Sequence, residues 1–405
     1  MLNVLWGLGG MLVILGIAYL FSNNRKSINW RTILGALALQ FLFAVIVLWT
    51  GPGKFLLEKV SNGVQEAIST SGEGIEFLFG GVLGLDGIGF VFAFQVLPII
   101  IFFSAVISIL YHFGIMQFIV RYIGGGISRL LGTSQAESIS AAGNIFVGQT
   151  EAPLLVKPYL NKMTTSELFA VMTGGMATVA GSVMAGIAAL GIPLEYLLAA
   201  TFMSAPGGLL MAKMLIPETD VSETKDKIKL ENVTGSENVV DAAAGGAIDG
   251  LKLALNVAAM LIAFVSLVAL INLILGTITN GVGIGTITLE QILGWVFAPF
   301  AFIAGVPWAE AVQAGSFIGQ KTIMNEFIGF ASLMDAQAGL SDRTFAITSF
   351  ALCGFANISS VAILIGGLGA LVPDRRAIIA KYGFKALLAA TLVNLMNAVI
   401  AGMLI

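Results

Sequence analysis

The sequence predicts an all-α polytopic membrane protein with eight transmembrane helices, two re-entrant helical hairpins, inverted repeats and discontinuous helices at the midplane. The first observation is composition: 57% of the 405 residues are hydrophobic, 11% are charged, and the mean hydropathy is +0.95. An average soluble domain has about 25% charged residues. Apolar runs of helix length are the second observation, and motifs shared by the two halves are the third. Because hydrocarbon cannot pair a free backbone, helices must form the spans.

Charge and residue counts exclude several classes of protein. The net charge of −3 and the lack of a polybasic cluster argue against a nucleic-acid partner. Cys353 is the single cysteine and His112 the single histidine, so neither a disulfide nor a zinc site is supported. We therefore expect no zinc or redox cofactor. The first apolar run lacks a basic leader and a small-residue cleavage site, so we expect a retained helix rather than a signal peptide.

Eight apolar runs are long enough to cross a bilayer. They are residues 4–21, 33–49, 88–111, 168–190, 194–215, 253–275, 345–371 and 384–404. Two semi-polar stretches separate the third run from the fourth and the sixth from the seventh. If both are re-entrant hairpins, the lysines and arginines place the N- and C-termini outside. Only Lys54, Lys59 and Arg343 then lie on the outer side, and Lys321 lies within the second stretch.

The two halves of the chain share motifs in the same order. "GNIFVGQ" ends at Gln149 and "GSFIGQ" ends at Gln320, and a glutamate follows each, Glu151 and Glu326. An acidic pair then heads the next span in both halves, Ser166-Glu167 and Ser341-Asp342, as suits helix capping. "ATVAGS" at 177–182 matches "FANISS" at 355–360, and "LLAAT" occurs at 197–201 and 387–391. Each repeat contains a hairpin and two spans, so it begins and ends on the same face of the membrane. One further span joins the halves, so the second repeat starts from the opposite face, as in many transporters.

This pattern gives a domain organisation. Residues 1–86 are N-terminal helices, and 87–136 are the third span, assigned to a scaffold, with an interfacial helix. Residues 137–216 form repeat 1, with a hairpin and two spans of a transport domain. Residues 217–250 form a hydrophilic cytoplasmic linker, and 251–290 a linking span and following segment of the scaffold. Residues 291–405 form repeat 2, with the second hairpin and two spans of the transport domain.

The first hairpin combines a turn with an acidic tip. Gly148 permits a tight turn, and Pro153 suits the first turn of the returning half-helix because its missing N–H has no partner there. Gln149, Thr150 and Glu151 would lie at the tip. A carboxylate within the membrane is costly and indicates a functional site. The alternative is a cap satisfied by neighbouring backbone amides.

The second repeat carries a similar polar set. Glu326 in "KTIMNEF" matches Glu151, although an ion pair with Lys321 is an alternative role. Asn357 and Ser360 lie mid-span in "GFANISS", where polar residues favour local unwinding and a spacing of three puts both on one side. The alternative is helix packing through small polar residues.

"ATVAGSVMAG" and Asn144 allow a cation site. Sodium prefers hard oxygen ligands, which the Asn144 side chain, the Thr178 hydroxyl and carbonyls at a helix break would supply. A packing face of small residues, including Gly181 and Ser182, is the alternative.

The motifs "GNIFVGQTEAPLLVKPYL", "ATVAGSVMAG", "KTIMNEF" and "CGFANISSVAILIGGLGALVPDRR" closely resemble those of the concentrative nucleoside transporter family, of the sodium-coupled bacterial type. The resemblance covers essentially the whole chain. It implies a homotrimer in the lipid bilayer of the plasma membrane, the inner membrane of a bacterium. It also implies an elevator-like step in which a mobile domain carries a nucleoside inward, driven by a sodium or proton gradient.

The resemblance also implies roles for single residues. Gln149, Thr150 and Glu151 would bind the nucleobase, against which Val183 would pack. Ribose hydroxyls would be held by Glu326, Asn357 and Ser360, with Phe355 beside the sugar. Sodium would be bound by Asn144, Val147, Thr178 and Val179, the two valines through main-chain oxygen. Because the asparagine and hydroxyl ligands are present, sodium is favoured over a proton as the coupling ion.

Two functions of other classes compete with transport. An intramembrane enzyme would use Glu151 and Glu326 as acid and base, but the sequence shows neither an activated nucleophile nor clustered metal-binding aspartates. A gated pore is disfavoured because the repeats predict discontinuous helices around a closed midplane site. Symport of a nucleoside with a cation is therefore the leading prediction, and the chain is not predicted to be an enzyme.

Overall fold

The computed structural model describes residues 2–83, 90–225, 235–281, 283 and 285–405, and the chain is largely helical there. The first half contains α1 (Leu2–Leu20), α2 (Trp30–Trp49), α3 (Gly51–Leu83), α4 (Phe92–Gln95), α5 (Leu97–His112), α6 (Ile115–Leu131), α7 (Gln135–Gly143), α8 (Thr165–Ala177), α9 (Gly181–Ala189) and α10 (Leu194–Leu215). The second half contains α11 (Val239–Gly281), α12 (Leu289–Ile303), α13 (Trp308–Ile323), α14 (Glu326–Asp335), α15 (Asp342–Leu352), α16 (Ile358–Leu371) and α17 (Arg376–Leu404). Short 3-10 helices span Arg25–Ser27, Ala152–Lys162, Gln337–Gly339 and Pro373–Arg375.

The apolar segments agree with the predicted all-α membrane architecture. In the described ranges, seven helical segments are long and apolar enough to cross a membrane, or up to eight if the pair α12 and α13, bent by 115°, counts as one. They include seven of the predicted runs, although residues 88 and 89 of the third run lie outside the described residues. The predicted run 345–371 is divided between the shorter helices α15 and α16. The total of eight spans and the re-entrant course of the hairpins stay predictions.

The same order of elements recurs in the two halves. The first hairpin consists of α7, a non-helical tip and the 3-10 helix Ala152–Lys162, and the second hairpin consists of α13 and α14. A broken helix follows each hairpin: α8 and α9 are separated at 178–180, and α15 and α16 at 353–357. The predicted discontinuous helices are therefore confirmed, at the two polar motifs that matched in the sequence.

Local hydrogen bonds explain where the helices begin. Ser134 and Glu137 form a capping box at α7, and Thr164 and Glu167 form one at α8. Such boxes satisfy two otherwise unpaired backbone donors. The sequence placed the acidic cap of α8 at Ser166-Glu167; Glu167 is correct, but the capping hydroxyl belongs to Thr164. At α15 the Ser341 hydroxyl caps the helix as predicted.

Helices differ strongly in burial. In the most apolar window of the α8–α9 segment, and in that of α10, 94% of the residues are buried. The buried share is 78% for α17 with its preceding turn and 0% for α11. Helices α1 and α2 pack against α17 and α10, whereas α11 packs along α5. Two glycines four residues apart, Gly246 and Gly250, let α11 approach the α5 backbone closely. This spacing is typical of tightly packed membrane helices.

The linker is shorter than predicted. It was placed at 217–250, but α11 begins at Val239, so its last part is helical. The sequence run 253–275 is accordingly the middle of a 43-residue helix. Before the gap in the described residues, the linker folds back on the first repeat: the hydroxyls of Ser222 and Thr224 both donate to Glu167 Oε1, the latter at 2.7 Å. The 33-residue helix α3 was not predicted either.

Candidate functional site

The tip of the first hairpin is a tight turn stabilised by its own carboxylate. The Gly148 N–H donates to Glu151 Oε2 at 3.2 Å, and Pro153 lies in the first turn of the returning 3-10 helix, as predicted. This bond resembles the cap proposed as the alternative role of Glu151. The Glu151 side chain nevertheless lines a cavity and remains exposed there. The carboxylate is therefore both held by the turn and accessible to a ligand.

Gln149 and Thr150 are packed tightly against other helices. The Gln149 main chain lies against Gly175 of α8, where an added Cβ would be 2.8 Å from Gln149 Cβ. Thr150 lies against Gly367 of α16, which leaves no room for a side chain there. Gln149 is only 7% exposed, and its Oε1 has no hydrogen-bond partner within the described part of the chain. A buried, unpaired acceptor is costly, so a ligand donor at this position would stabilise it.

The second repeat brings its polar residues into direct contact. Glu326 is the first residue of α14 and is buried, and Asn357 Nδ2 donates to its Oε2 at 3.1 Å. Asn357 also caps α16, because its Oδ1 accepts from the Ser360 N–H at 2.8 Å. The predicted grouping of these residues is thus present. The alternative ion pair of Glu326 with Lys321 is wrong, since the lysine instead donates to Asn394 Oδ1.

The two helix breaks are joined to each other. The Phe355 N–H donates to the Thr178 carbonyl at 3.1 Å, across the two repeats. Asn394 Nδ2 donates to the carbonyls of Ala177 and Cys353, at 2.8 and 2.9 Å. One side chain of α17 therefore pairs with one carbonyl at the end of α8 and one at the end of α15. These bonds hold the two breaks at a fixed position relative to each other.

Val183 and Phe355 complete the predicted substrate set. Val183 lies in the first turn of α9 and is 1% exposed, whereas Phe355 is half-buried beside the second break. Both therefore flank the junction of the two breaks, where the predicted apolar contacts to a base and a sugar would be made.

The predicted cation ligands surround two converging helix ends. Asn144 directly follows α7 and Thr178 directly follows α8, and Asn144 Nδ2 lies against Gly174 of α8. Asn144 Oδ1 is buried and has no hydrogen-bond partner among the described residues. Val147 and Val179 are buried and lie outside the helices, so their carbonyls are not used in helical bonds. Helix C-termini carry partial negative charge, which favours a cation.

The donor set fits a hard cation. The Thr178 hydroxyl donates to the Gly174 carbonyl at 3.1 Å, and this bond uses its hydrogen but not the lone pairs of its oxygen. Neutral oxygens of this kind are the ligands of hard cations. No group of three or more His, Cys, Asp or Glu side chains able to hold a metal ion occurs in the ranges that the structure describes.

A cavity of about 180 Å³ adjoins Glu151, and sequence reasoning missed most of its lining. Ser104, Ser108 and Tyr111 of α5 form one wall, and Asp249 of α11 lies opposite the first hairpin. The Tyr111 hydroxyl is buried and unpaired in the described part of the chain. The helical spacing of these polar residues within an apolar span was the available signal. Val147 lines the cavity together with Glu151, so the cavity borders one residue of each predicted ligand site.

Comparison with known families matches nearly the whole chain. The model described as Na+ dependent nucleoside transporter C-terminus matches residues 196–402, and its N-terminal counterpart matches residues 9–82. A model described as nucleoside recognition matches residues 93–194.

Individual proteins are similar over their full length. The chain is 53% identical to the uncharacterized transporter YutK of Bacillus subtilis, covering 100% of both chains. It is 48% identical to the nucleoside permease NupC of Helicobacter pylori, covering 99% of this chain and 98% of that protein. The solved structure of CNTnw in an inward-facing substrate-bound state has 50% identity and a TM-score of 0.94, covering 99% and 98% of the two chains.

Proposed function

This chain belongs to the concentrative nucleoside transporter family, and from that premise we propose that it is a symporter that imports nucleosides with sodium ions. It is a sodium-dependent nucleoside transporter by family and not an enzyme. One observation supports the proposal most directly. At the first hairpin, two buried oxygens lack partners in the described structure, Gln149 Oε1 and Asn144 Oδ1. One suits a ligand N–H and the other a cation.

The substrate roles follow from the donors and acceptors at the joined breaks. Gln149, Thr150 and Glu151 bind the base, with Val183 packed against it. The ribose hydroxyls donate to Glu326 and interact with the residues of the second break, Asn357, Ser360 and Phe355. Glu326 retains one carboxylate oxygen beyond its bond with Asn357. A hydrogen bond to a charged group contributes roughly 1.5–3 kcal/mol, so each carboxylate matters for affinity.

Sodium is bound by Asn144 and Thr178 through side-chain oxygens and by Val147 and Val179 through carbonyls. A nucleoside is neutral, so the ion gives the loaded site its positive charge. Each such charge that moves inward gains ~2.3 kcal/mol per 100 mV of membrane potential. A proton on one of the glutamates is the alternative coupling ion. The unpaired Asn144 amide oxygen favours sodium, because an amide does not take up a proton at neutral pH.

Alternating access is an elevator-like movement. Helices α5 and α11, tied by Gly246 and Gly250, form the fixed scaffold. The hairpins, the broken helices, α10 and α17 form the transport domain, which carries both ligands across. The cavity between α5, α11 and the first hairpin supports this division, because it lies along the boundary. The protein acts as a homotrimer in the bacterial inner membrane, with both termini outside.

Uptake into liposomes tests the function. Purified protein should accumulate labelled uridine when sodium is higher outside than inside, and should not do so when sodium is replaced by choline. Collapse of the membrane potential should reduce the accumulation, since charge enters with the ion. Accumulation that ignores sodium and follows a pH gradient would contradict sodium coupling. No accumulation of any nucleoside under either gradient would contradict the substrate class.

A further inference from the structure

A buried ammonium group lies in the second hairpin without an anionic partner in contact. Lys321 is in the last turn of α13 and is 1% exposed. Its Nζ donates to Asn394 Oδ1 at 2.7 Å, and across the described residues it forms no salt bridge. Glu326 interacts with it electrostatically at longer range. Burying a charge in this way is costly, so the position requires an explanation beyond packing.

This ammonium lies beside the Asn394 side-chain oxygen and near the C-terminal ends of two helices. Asn394 uses its amide nitrogen for the carbonyls of Ala177 and Cys353, which turns its oxygen toward Lys321. Cys353 directly follows α15, and Lys321 itself lies at the end of α13. The C-terminal ends of α13 and α15 therefore converge near one positive charge. Partial negative charge at such ends stabilises a cation.

The first repeat has the same pair of helix ends. Its hairpin helix α7 ends before Asn144, and its broken helix α8 ends before Thr178. These are the counterparts of α13 and α15 in the order of elements. In the first repeat the proposed ligands are neutral oxygens that bind an ion from solution. In the second repeat the Lys321 side chain supplies the positive charge. The aligned "LLAAT" motifs place Ser204 opposite Asn394, and Ser204 donates to the Ala200 carbonyl in its own helix.

We propose that the Lys321 ammonium is a tethered cation that has the same electrostatic role at the helix ends of the second repeat as the proposed sodium ion has at those of the first. It neutralises the ends of α13 and α15 without taking an ion from solution. Because the lysine supplies this charge, the second repeat binds no sodium ion of its own, and only the first repeat contributes to the number moved with each nucleoside. This inference rests on the proposed sodium coupling and assigns Lys321 a role in that coupling through Asn394.

Three variants test the proposal in liposomes. Lys321→Ser leaves the Asn394 oxygen and the new serine hydroxyl beside a space that sodium can enter, so we expect one more sodium ion per nucleoside than in the unmodified protein. Lys321→Met removes the charge, fills most of the space and offers no ligand, so uptake should fall about tenfold or more at every sodium concentration. Lys321→Arg keeps the charge and should retain the unmodified ion ratio.

Sodium-dependent melting of the purified variants separates this role from a merely structural one. The melting temperature of Lys321→Ser should rise more steeply with added sodium than that of the unmodified protein, because a second ion binds the folded state. An unchanged ion ratio and sodium dependence in Lys321→Ser would overturn the proposal, as would normal uptake by Lys321→Met. Failure of Lys321→Ser to fold even in high sodium would also overturn it. The proposed function fails independently, if uptake by the unmodified protein ignores sodium.

Discussion

Glu326 combines a structural position with a proposed ligand-binding role in one carboxylate. It begins α14, where the N-terminus of the helix favours a negative charge, and one oxygen accepts from Asn357. The other oxygen is available to a ribose hydroxyl in the proposed complex. A buried carboxylate with only part of its hydrogen-bonding capacity used is expected where a ligand completes the set.

Replacing Glu326 with glutamine should weaken nucleoside binding roughly thirtyfold and strongly reduce uptake while the protein stays folded. The amide keeps the size of the side chain but loses the charge-assisted bond, which costs about 2 kcal/mol, or roughly thirtyfold in affinity. Uridine binding by calorimetry and uptake into liposomes measure the effect. Glu310→Gln in the same hairpin is the control, because that side chain interacts with Ser341 and Thr344 at the start of α15. Near-normal uptake by Glu326→Gln would reject the ribose assignment.

Removing one sodium ligand should raise the sodium concentration needed for half-maximal uptake. We expect an increase of roughly 5- to 30-fold for Asn144→Ala or Thr178→Val, since losing a buried ligand costs about 1–2 kcal/mol. Thr173→Val is a matched control. Thr173 is buried in α8, the helix that Thr178 directly follows, and its hydroxyl has no partner in the described structure. If the control shifts as much as Thr178→Val, the ligand assignment fails.

At the level of single residues, the sequence singled out polar residues that the structure brings together, but not the bonds between them. Glu151, Glu326 and the Asn357 pair were recognisable because polar residues are rare in apolar spans. Asn394 was not, since it lies within an ordinary apolar helix and acts only through contacts with residues 41 and 217 positions away. The bond from Lys321 to Asn394 was missed for the same reason. Long-range pairing is a property of the packed molecule.

Helix breaks are the elements that the sequence predicted best. Both lie at motifs whose residues favour local unwinding, and both appear in the structure at those motifs. The helices α3 and the beginning of α11 were missed because their apolar residues are interrupted by charged and small ones. Such segments are stabilised by neighbouring helices rather than by their own apolar periodicity.

The α5–α11 contact gives a prediction about glycine. A Cβ added at Gly246 would lie 2.6 Å from the Ser104 carbonyl oxygen, whereas one added at Gly245 meets open space. Gly246→Ala should therefore lower the melting temperature in detergent, with a cost of about 1–3 kcal/mol from overpacking. Gly245→Ala should be neutral or slightly stabilising, because alanine favours helix. Equal melting temperatures for the two variants would show that α5 and α11 do not pack this closely.

At the scale of the whole molecule, the elevator proposal requires two groups of helices to slide past each other. The boundary includes α5 and α9, where an added Cβ at Gly186 would lie 3.2 Å from Ile100 Cγ1. The side chains that face Gly186 there, Ile100 and Val96, are apolar, which suits a sliding surface. By contrast, each group is held internally by close backbone contacts and buried polar bonds.

Paired cysteines test that movement. In a Cys353→Ala background, a disulfide between Ile100→Cys and Gly186→Cys should stop uptake, and a reducing agent should restore it. Val361→Cys with Gly383→Cys is the matched control within the transport domain, where the Cβ atoms would be 4.0 Å apart, a suitable spacing for a disulfide. The control should transport in both oxidised and reduced forms. Uptake that persists with α5 bonded to α9 would be incompatible with an elevator.

The hydrogen bond from the Phe355 N–H to the Thr178 carbonyl has a thermodynamic consequence. It joins the backbone beside the proposed ribose ligands to the backbone of Thr178, a proposed ion ligand, so a shift of one break is coupled to the other. Any strengthening of nucleoside affinity by the ion must then be matched by an equal strengthening of ion affinity by the nucleoside. An empty carrier and a fully loaded one are thereby favoured over either half-loaded form, which limits leakage of the ion gradient.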